Sequence, residues 1–114
     1  MSAKRVVAHL KTDRTGETCA FYTELLGLEV AMDQGWVATL VSPVNPAAQV
    51  TIVSGDDPAA PGITVEVDDV DAMHARAAAQ GHDIFYPLRT EPWGVRRFMV
   101  RDPAGTVVNV LSHA

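Results

Sequence analysis

The spacing of apolar residues divides the chain into short strands and two helices. Ile63, Val65 and Val67 alternate with Thr64 and Glu66, and this period of two predicts a half-buried strand over residues 63–67. Apolar runs bounded by Gly, Pro, Asp or Ser predict the other strands. These cover residues 5–11, 28–32, 36–41, 49–53, 82–88, 95–101 and 106–111.

A first helix is predicted over residues 17–26, where Phe21 and Leu25 lie four positions apart on one face. Asp13 or Thr15 is expected to cap its beginning. Gly27 follows its last turn, where a glycine in the left-handed conformation commonly ends a helix.

A second helix is predicted over residues 70–80, with Val70, Met73 and Ala77 as its apolar stripe. Acidic residues at its beginning suit the helix dipole. Gly81 follows it, as Gly27 follows the first helix. The two helices therefore stand at similar places in two similar halves.

An internal repeat supports this division into halves. Residues 50–54 can be laid on residues 108–112, a displacement of 108 − 50 = 58 positions. We therefore expect an α+β fold built as one domain from two βαβββ modules. Module one spans about 1–54, a linker rich in Gly, Asp and Pro spans 55–61, and module two spans about 62–114.

Composition narrows the class of partner. Asp and Glu number 14 against 9 Lys and Arg, for a net charge of −5, so neither nucleic acid nor an anionic membrane is an expected partner. Cys19 is the single cysteine, which excludes an intramolecular disulfide or a cysteine-cluster metal site. The first residues lack a signal-peptide apolar region, so a cytoplasmic location is expected.

Four segments carry a family resemblance: Phe21–Val30, Val67–Asp71, Glu91–Gly94 and Arg101–Thr106. Together they resemble the vicinal oxygen chelate superfamily of glyoxalases, bleomycin-resistance proteins and extradiol dioxygenases. The resemblance implies that each module curls into half of an open, incomplete barrel. It also implies that two modules enclose a cavity, often within a homodimer.

Metal-dependent members of that superfamily place His and Glu ligands on the first and last strands of each module. Here the matching positions hold Asn109, Thr51, Gly62, and either Arg5 or Val7. Divalent transition metals prefer imidazole, carboxylate or thiolate. We therefore expect neither the usual metal site nor another cofactor.

His9 and Glu66 are the polar candidates on the predicted inner faces. Ala8 and Leu10 match Val65 and Val67, so the pattern makes Glu66 the counterpart of His9. His9 and Glu66 can act as an acid–base pair or bind a polar ligand, or they can form structural hydrogen bonds.

Trp36 and Trp93 follow equivalent turns and suit the wall of a site for a flat ligand, although Trp36 can equally be core and Trp93 a dimer contact. Alternation turns one of Arg96 and Arg97 inward, where it can bind an anion or form a salt bridge.

The first hypothesis is a small-molecule binding protein of the glyoxalase and bleomycin-resistance type, active as a homodimer. Its expected ligand residues are His9, Trp36, Thr51, Glu66, Trp93, Arg96 and Asn109. The alternative is a lyase, isomerase or dioxygenase with an atypical metal site or metal-free acid–base chemistry. A third possibility is a domain that only dimerises. No catalytic residue is assigned.

Overall fold

The computed structural model describes residues 2–113, and in this range it shows a mixed α+β fold with eight strands and two helices. The elements are β1 Ala3–Lys11, α1 Thr15–Leu26, β2 Glu29–Asp33, β3 Val37–Val41, β4 Gln49–Val53, β5 Ile63–Val67, α2 Val70–Ala79, β6 Asp83–Thr90, β7 Val95–Arg101 and β8 Val107–His113. The predicted α+β class is confirmed.

The chain divides into two compact units. Unit two is Val7–Ala60, while unit one begins at Pro61 and also includes the residues up to Val6. Each unit therefore has the predicted order of strand, helix and three strands. The division differs from the expected modules because the first part of β1 belongs with the C-terminal half.

Unit two has an open sheet in the order β2-β3-β4-β1. β3 runs antiparallel to both neighbours, and β4 runs parallel to the Val7–Lys11 part of β1. α1 lies against β3 and β4. Leu40 and Ile52 are completely buried and form the centre of the apolar layer of unit two.

Unit one has an open sheet in the order β5-β8-β7-β6, with β5 parallel to β8 and the other neighbours antiparallel. α2 packs on one face of this sheet. The buried cluster consists of Val67, Val70, Phe98 and Val110, with Met73 and Ala77 of α2 packed against it. The predicted stripe of α2 is therefore its core-facing side.

The start of α1 differs from the expectation. Arg14 is the N-cap residue and no side chain caps the helix, so the predicted caps Asp13 and Thr15 are wrong. The helix begins at Thr15, which places this residue inside the first turn. Gly27 ends the helix at a φ of 71°, as predicted.

Asp69 is the N-cap of α2, and its side chain accepts a hydrogen bond of 3.0 Å from the backbone N–H of Ala72. Asp69→Ala should lower the free energy of unfolding by about 1 kcal/mol, because a first-turn N–H loses its acceptor. Urea unfolding followed by circular dichroism measures this. Asp68→Ala is the matched control, since the exposed Asp68 precedes the cap, and an equal loss in both variants would contradict the assignment.

Candidate functional site

The two faces of the unit-one sheet differ in chemistry. Val65, Val67, Phe98 and Val110 point to α2 and form the core on that side. The neighbouring positions point to the opposite side, which we name the distal face. It carries Thr64, Glu66, Arg97, Met99, Asn109, Leu111 and His113.

The carboxylate of Glu91 is the centre of a buried polar cluster. Glu91 is 3% exposed, and its Oε2 accepts hydrogen bonds from the Tyr86 hydroxyl at 2.6 Å and from Arg97 Nε at 2.9 Å. Arg97 Nη2 also lies 2.8 Å from Oε2. The Arg97 guanidinium is therefore fixed in place by a buried partner.

Arg89 supplies a second cation to the same carboxylate. Its Nε lies 2.7 Å from Glu91 Oε1, although the direction is not that of a hydrogen bond, so the contact is an ion pair. The hydrogen bond from Tyr86 lowers the pKa of Glu91 most; burial opposes it, and Arg97 and Arg89 lower it further. The net result is a pKa below the ordinary range. Two cations facing one anion leave an excess of positive charge.

Trp93 stands in the turn between β6 and β7 and is 64% exposed. The Arg97 guanidinium lies 5.2 Å from its ring centroid and 5.0 Å from that of Tyr86. Contacts of this kind are cation–π interactions. Trp93 thus offers an aromatic surface beside a positioned cation.

Arg96 lies on the other side of the sheet. Its Nη2 donates a hydrogen bond of 2.9 Å to Oδ1 of Asp71, which is in the first turn of α2. Arg96 also donates to Thr90 Oγ1 at 3.1 Å. Of the two neighbouring arginines, Arg97 is therefore the one on the distal face. A role of Arg96 in ligand binding stays a prediction.

Two side chains of unit one contact the Glu66 carboxylate. His113 Nδ1 lies 2.7 Å from its Oε2, and Arg5 Nε lies 3.1 Å from its Oε1. Burial alone raises the pKa of Glu66. The hydrogen bond from His113 and the positive charge of Arg5 outweigh this effect, so the net pKa is below its ordinary value.

The strand register corrects the predicted counterpart of His9. In unit two, His9 pairs with Thr51; in unit one, Asn109, which is 58 positions after Thr51, pairs with Thr64. The counterpart of His9 is therefore Thr64, and Glu66 lies two residues farther along the strand. The predicted face was right because a shift of two residues preserves it.

The family's metal-ligand positions do not fit a divalent transition metal here. Asn109 is buried, and its Nδ2 donates a hydrogen bond of 3.2 Å to Thr64 Oγ1. A Cβ at Gly62 would lie 2.9 Å from Cγ2 of Thr106, so a larger side chain there would require Thr106 to move. Residues 2–113 contain no group of three or more His, Cys, Asp or Glu side chains arranged to hold a metal ion.

The remaining candidates lie in unit two. His9 and Thr51 share the sheet face opposite the Leu40 and Ile52 layer, and burial lowers the pKa of His9. Trp36 is 59% exposed just before β3. A surface pocket of about 410 Å³ near the start of α1 is lined by Thr12, Arg14, Glu17, Thr18, Phe21 and Tyr22. None of the predicted ligand residues lines that pocket.

The arrangement of two βαβββ units agrees with a family match along the sequence. The profile of the Glyoxalase/Bleomycin resistance protein/Dioxygenase superfamily matches residues 6–110. The chain belongs to this superfamily.

Solved structures of the superfamily share this fold. A glyoxalase/bleomycin resistance protein/dioxygenase superfamily member from Vibrio splendidus 12B01 is 21% identical, with 95% of this chain and 97% of the other covered and a TM-score of 0.73. Methylmalonyl-CoA epimerase from Mycobacterium tuberculosis is 19% identical, with 100% and 93% covered and a TM-score of 0.71. The Streptomyces coelicolor methylmalonyl-CoA epimerase is 17% identical, with 99% of each chain covered and a TM-score of 0.70.

No curated protein matches the sequence. The described part of this superfamily member has no helix with the length and apolar character needed to cross a bilayer.

Sequence reasoning missed four residues of the unit-one site: Tyr86, Arg89, Glu91 and His113. The register of β6 against β7 shifts on both sides of Tyr86, so simple alternation does not predict the face on which its side chain lies. Glu91 precedes a Pro-Trp-Gly turn that predicts a loop, and loops are usually exposed. His113 lies near the C-terminus, where order is not expected.

Proposed function

We propose that this superfamily member binds a flat organic anion at the Trp93 end of the unit-one distal face, without the metal site usual in the superfamily. The observation that carries the proposal is the position of Arg97 beside the exposed ring of Trp93. Aromatic side chains suit flat ligands because they offer a large contact area with little entropy to lose.

The charge of the cluster favours an anionic ligand. Arg97 uses Nε and Nη2 in its contacts with Glu91, so Nη1 is the donor that remains to face a ligand. A guanidinium that is already fixed loses little side-chain entropy when a carboxylate binds. Arg89, which is more exposed than Arg97, adds a second positive charge at the same place.

The other residues predicted to bind a ligand have less support in this proposal. Asn109 and Glu66 share the distal face with Arg97, whereas Arg96 is engaged by Asp71 and is left out. For His9, Trp36 and Thr51 in unit two, a role in ligand binding stays a prediction. A homodimer and a cytoplasmic location also stay predictions.

A second candidate function is an enzyme that uses metal-free acid–base chemistry. The contact between Glu66 and His113 favours it, because a carboxylate-bound imidazole is a common proton-transfer group. Asn109 and Thr51 offer only neutral oxygen atoms to a metal, and Gly62 has no side chain. The residues therefore fit metal-free acid–base chemistry better than an atypical metal site.

Isothermal titration with 2-naphthoate, a flat aromatic carboxylate, tests the first function. Trp93→Ala should weaken binding by roughly tenfold or more, the loss expected when about 1.4 kcal/mol of ring contact is removed. The same titration with neutral 2-naphthamide should give weaker binding to the wild type, because Arg97 then faces no charge.

Arg96→Gln is the matched control, since it removes a guanidinium one residue from Arg97 but on the α2 side of the sheet. It should leave the affinity for 2-naphthoate unchanged. Trp36→Ala, measured in the same way, tests the unit-two prediction separately. An unchanged affinity in Trp93→Ala, or equal affinity for the acid and the amide, would contradict the proposal.

A further inference from the structure

Glu66 holds one ring nitrogen of His113, whose imidazole is otherwise accessible. His113 is an exposed residue at the end of β8, with 60% of its side chain accessible, whereas 16% of the Glu66 side chain is exposed. The Nδ1–H of His113 donates to Glu66 Oε2 across 2.7 Å. Nε2 is therefore the nitrogen left to meet a ligand.

The surrounding charges keep Glu66 able to accept that hydrogen bond. Arg5 forms an ion pair with Oε1 of Glu66, and Lys4, which is also in β1, adds positive charge nearby. A carboxylate that accepts from Nδ1–H selects the tautomer with the lone pair on Nε2. This arrangement is the one that a histidine general base requires.

The strand register brings this imidazole near the proposed ligand site. Arg97 pairs with Leu111, and His113 follows two residues later on the same face of β8. Diagonal neighbours of this kind lie roughly 7–8 Å apart, within the reach of long side chains and of one small ligand between them. Val95, two residues after Trp93, pairs with His113, so the proposed ligand site and this imidazole lie at the same end of the unit-one sheet.

We propose that His113 is a general base that removes a proton from the small molecule bound at Trp93 and Arg97, and that Glu66 is its positioning residue. This inference rests on the proposed binding function and adds a proton-transfer activity to it. The ligands it selects are flat compounds with an acidic C–H or O–H, whose deprotonated form carries an anion for Arg97.

The elimination reaction of 5-nitrobenzisoxazole is a direct probe, because it needs only a base. Nε2 would take the proton from C3, the C–H electron pair would form the third bond of a nitrile, and the N–O bond would break. Its electron pair then remains on oxygen as a phenolate, whose absorbance reports the rate. No metal, oxidant or second reactant takes part.

His113→Gln should lower kcat for this probe by at least about tenfold, since a positioned general base contributes 10²–10⁴-fold. Arg5 and Lys4 place positive charge near Glu66, and Arg97 is the diagonal neighbour of His113 across β7 and β8. Glu66→Gln should lower kcat without changing KM, and Glu66→Asp should restore part of the rate.

His82→Gln is the control variant, because His82 is exposed and its ring nitrogen contacts Gln80, away from Glu66. It should leave the rate unchanged. A wild-type rate no higher than that of buffer, or an unchanged rate in His113→Gln, would overturn the inference. If Trp93→Ala still loses 2-naphthoate affinity in that case, the binding proposal stands alone; if it does not, both fail.

Discussion

Replacing Glu91 with Gln should destabilise unit one more than any other single polar substitution proposed for it. The amide keeps the shape of the side chain but removes the anion that Arg97 and Arg89 share. The Arg97 side chain is 18% exposed, and a largely buried cation without its partner is costly. Tyr86 also loses a charge-assisted hydrogen bond of 2.6 Å. Thermal unfolding should show a lower midpoint than that of Asp69→Ala.

Glu91 should also make the free energy of unfolding fall at acidic pH. The pKa of Glu91 is lowered in the folded state, so its contribution is present above the unfolded-state pKa and is lost as the pH falls through the folded pKa. The difference in unfolding free energy between wild type and Glu91→Gln should therefore shrink on acidification below the ordinary range of a glutamate. A difference that stays constant from neutral pH to pH 3 would contradict the assigned ion pairs.

Glu24→Gln is the control for the loss of one negative charge, because Glu24 is exposed on α1. It should leave the unfolding midpoint nearly unchanged. Equal effects of the two substitutions would show that net charge, and not the buried cluster, sets the stability.

Phe98→Ala should reduce the free energy of unfolding by about 3–5 kcal/mol, the usual cost of removing a phenylalanine from a core. Phe98 is 1% exposed and belongs to the cluster that joins α2 to the sheet. The ring of the half-buried His74 packs against it edge to face, with 5.1 Å between the ring centroids.

Urea unfolding followed by circular dichroism measures this loss. Phe98→Leu keeps most of the volume and should cost clearly less. Phe85→Ala is the aromatic control, because Phe85 is half-buried and its ring faces the Arg101 guanidinium at 4.0 Å. A loss below about 1 kcal/mol for Phe98→Ala would contradict its place in the core.

Hydrophobic spacing predicted the strands of this superfamily member well because each unit buries one sheet face against a helix. β4, β5 and β7 occupy the residues that alternation and turn signals predict. Hydrophobic spacing did not predict how much of the apolar face of α1 is buried. Phe21 and Leu25 are 54% and 65% exposed, so a helical apolar stripe identified the helix without identifying what covers it.

The site was harder to predict because it depends on pairing between strands. Alternation put Glu66 and Asn109 on the correct face, but only the register shows that Thr64 is the counterpart of His9. The partners of Glu66 come from β1 and β8, which are far from it in sequence. Contacts of this range leave no local pattern that a single sequence can reveal.

The two tryptophans permit the most direct test of the proposed site. In a ¹H–¹⁵N spectrum the indole N–H groups of Trp36 and Trp93 give two signals, which Trp36→Ala assigns. Titration with 2-naphthoate should shift the Trp93 signal in a saturable way, and Arg96→Gln should not alter that titration. A Trp93 signal that stays in place while the compound binds elsewhere, or an absence of any saturable shift, would contradict a ligand site on the distal face of unit one.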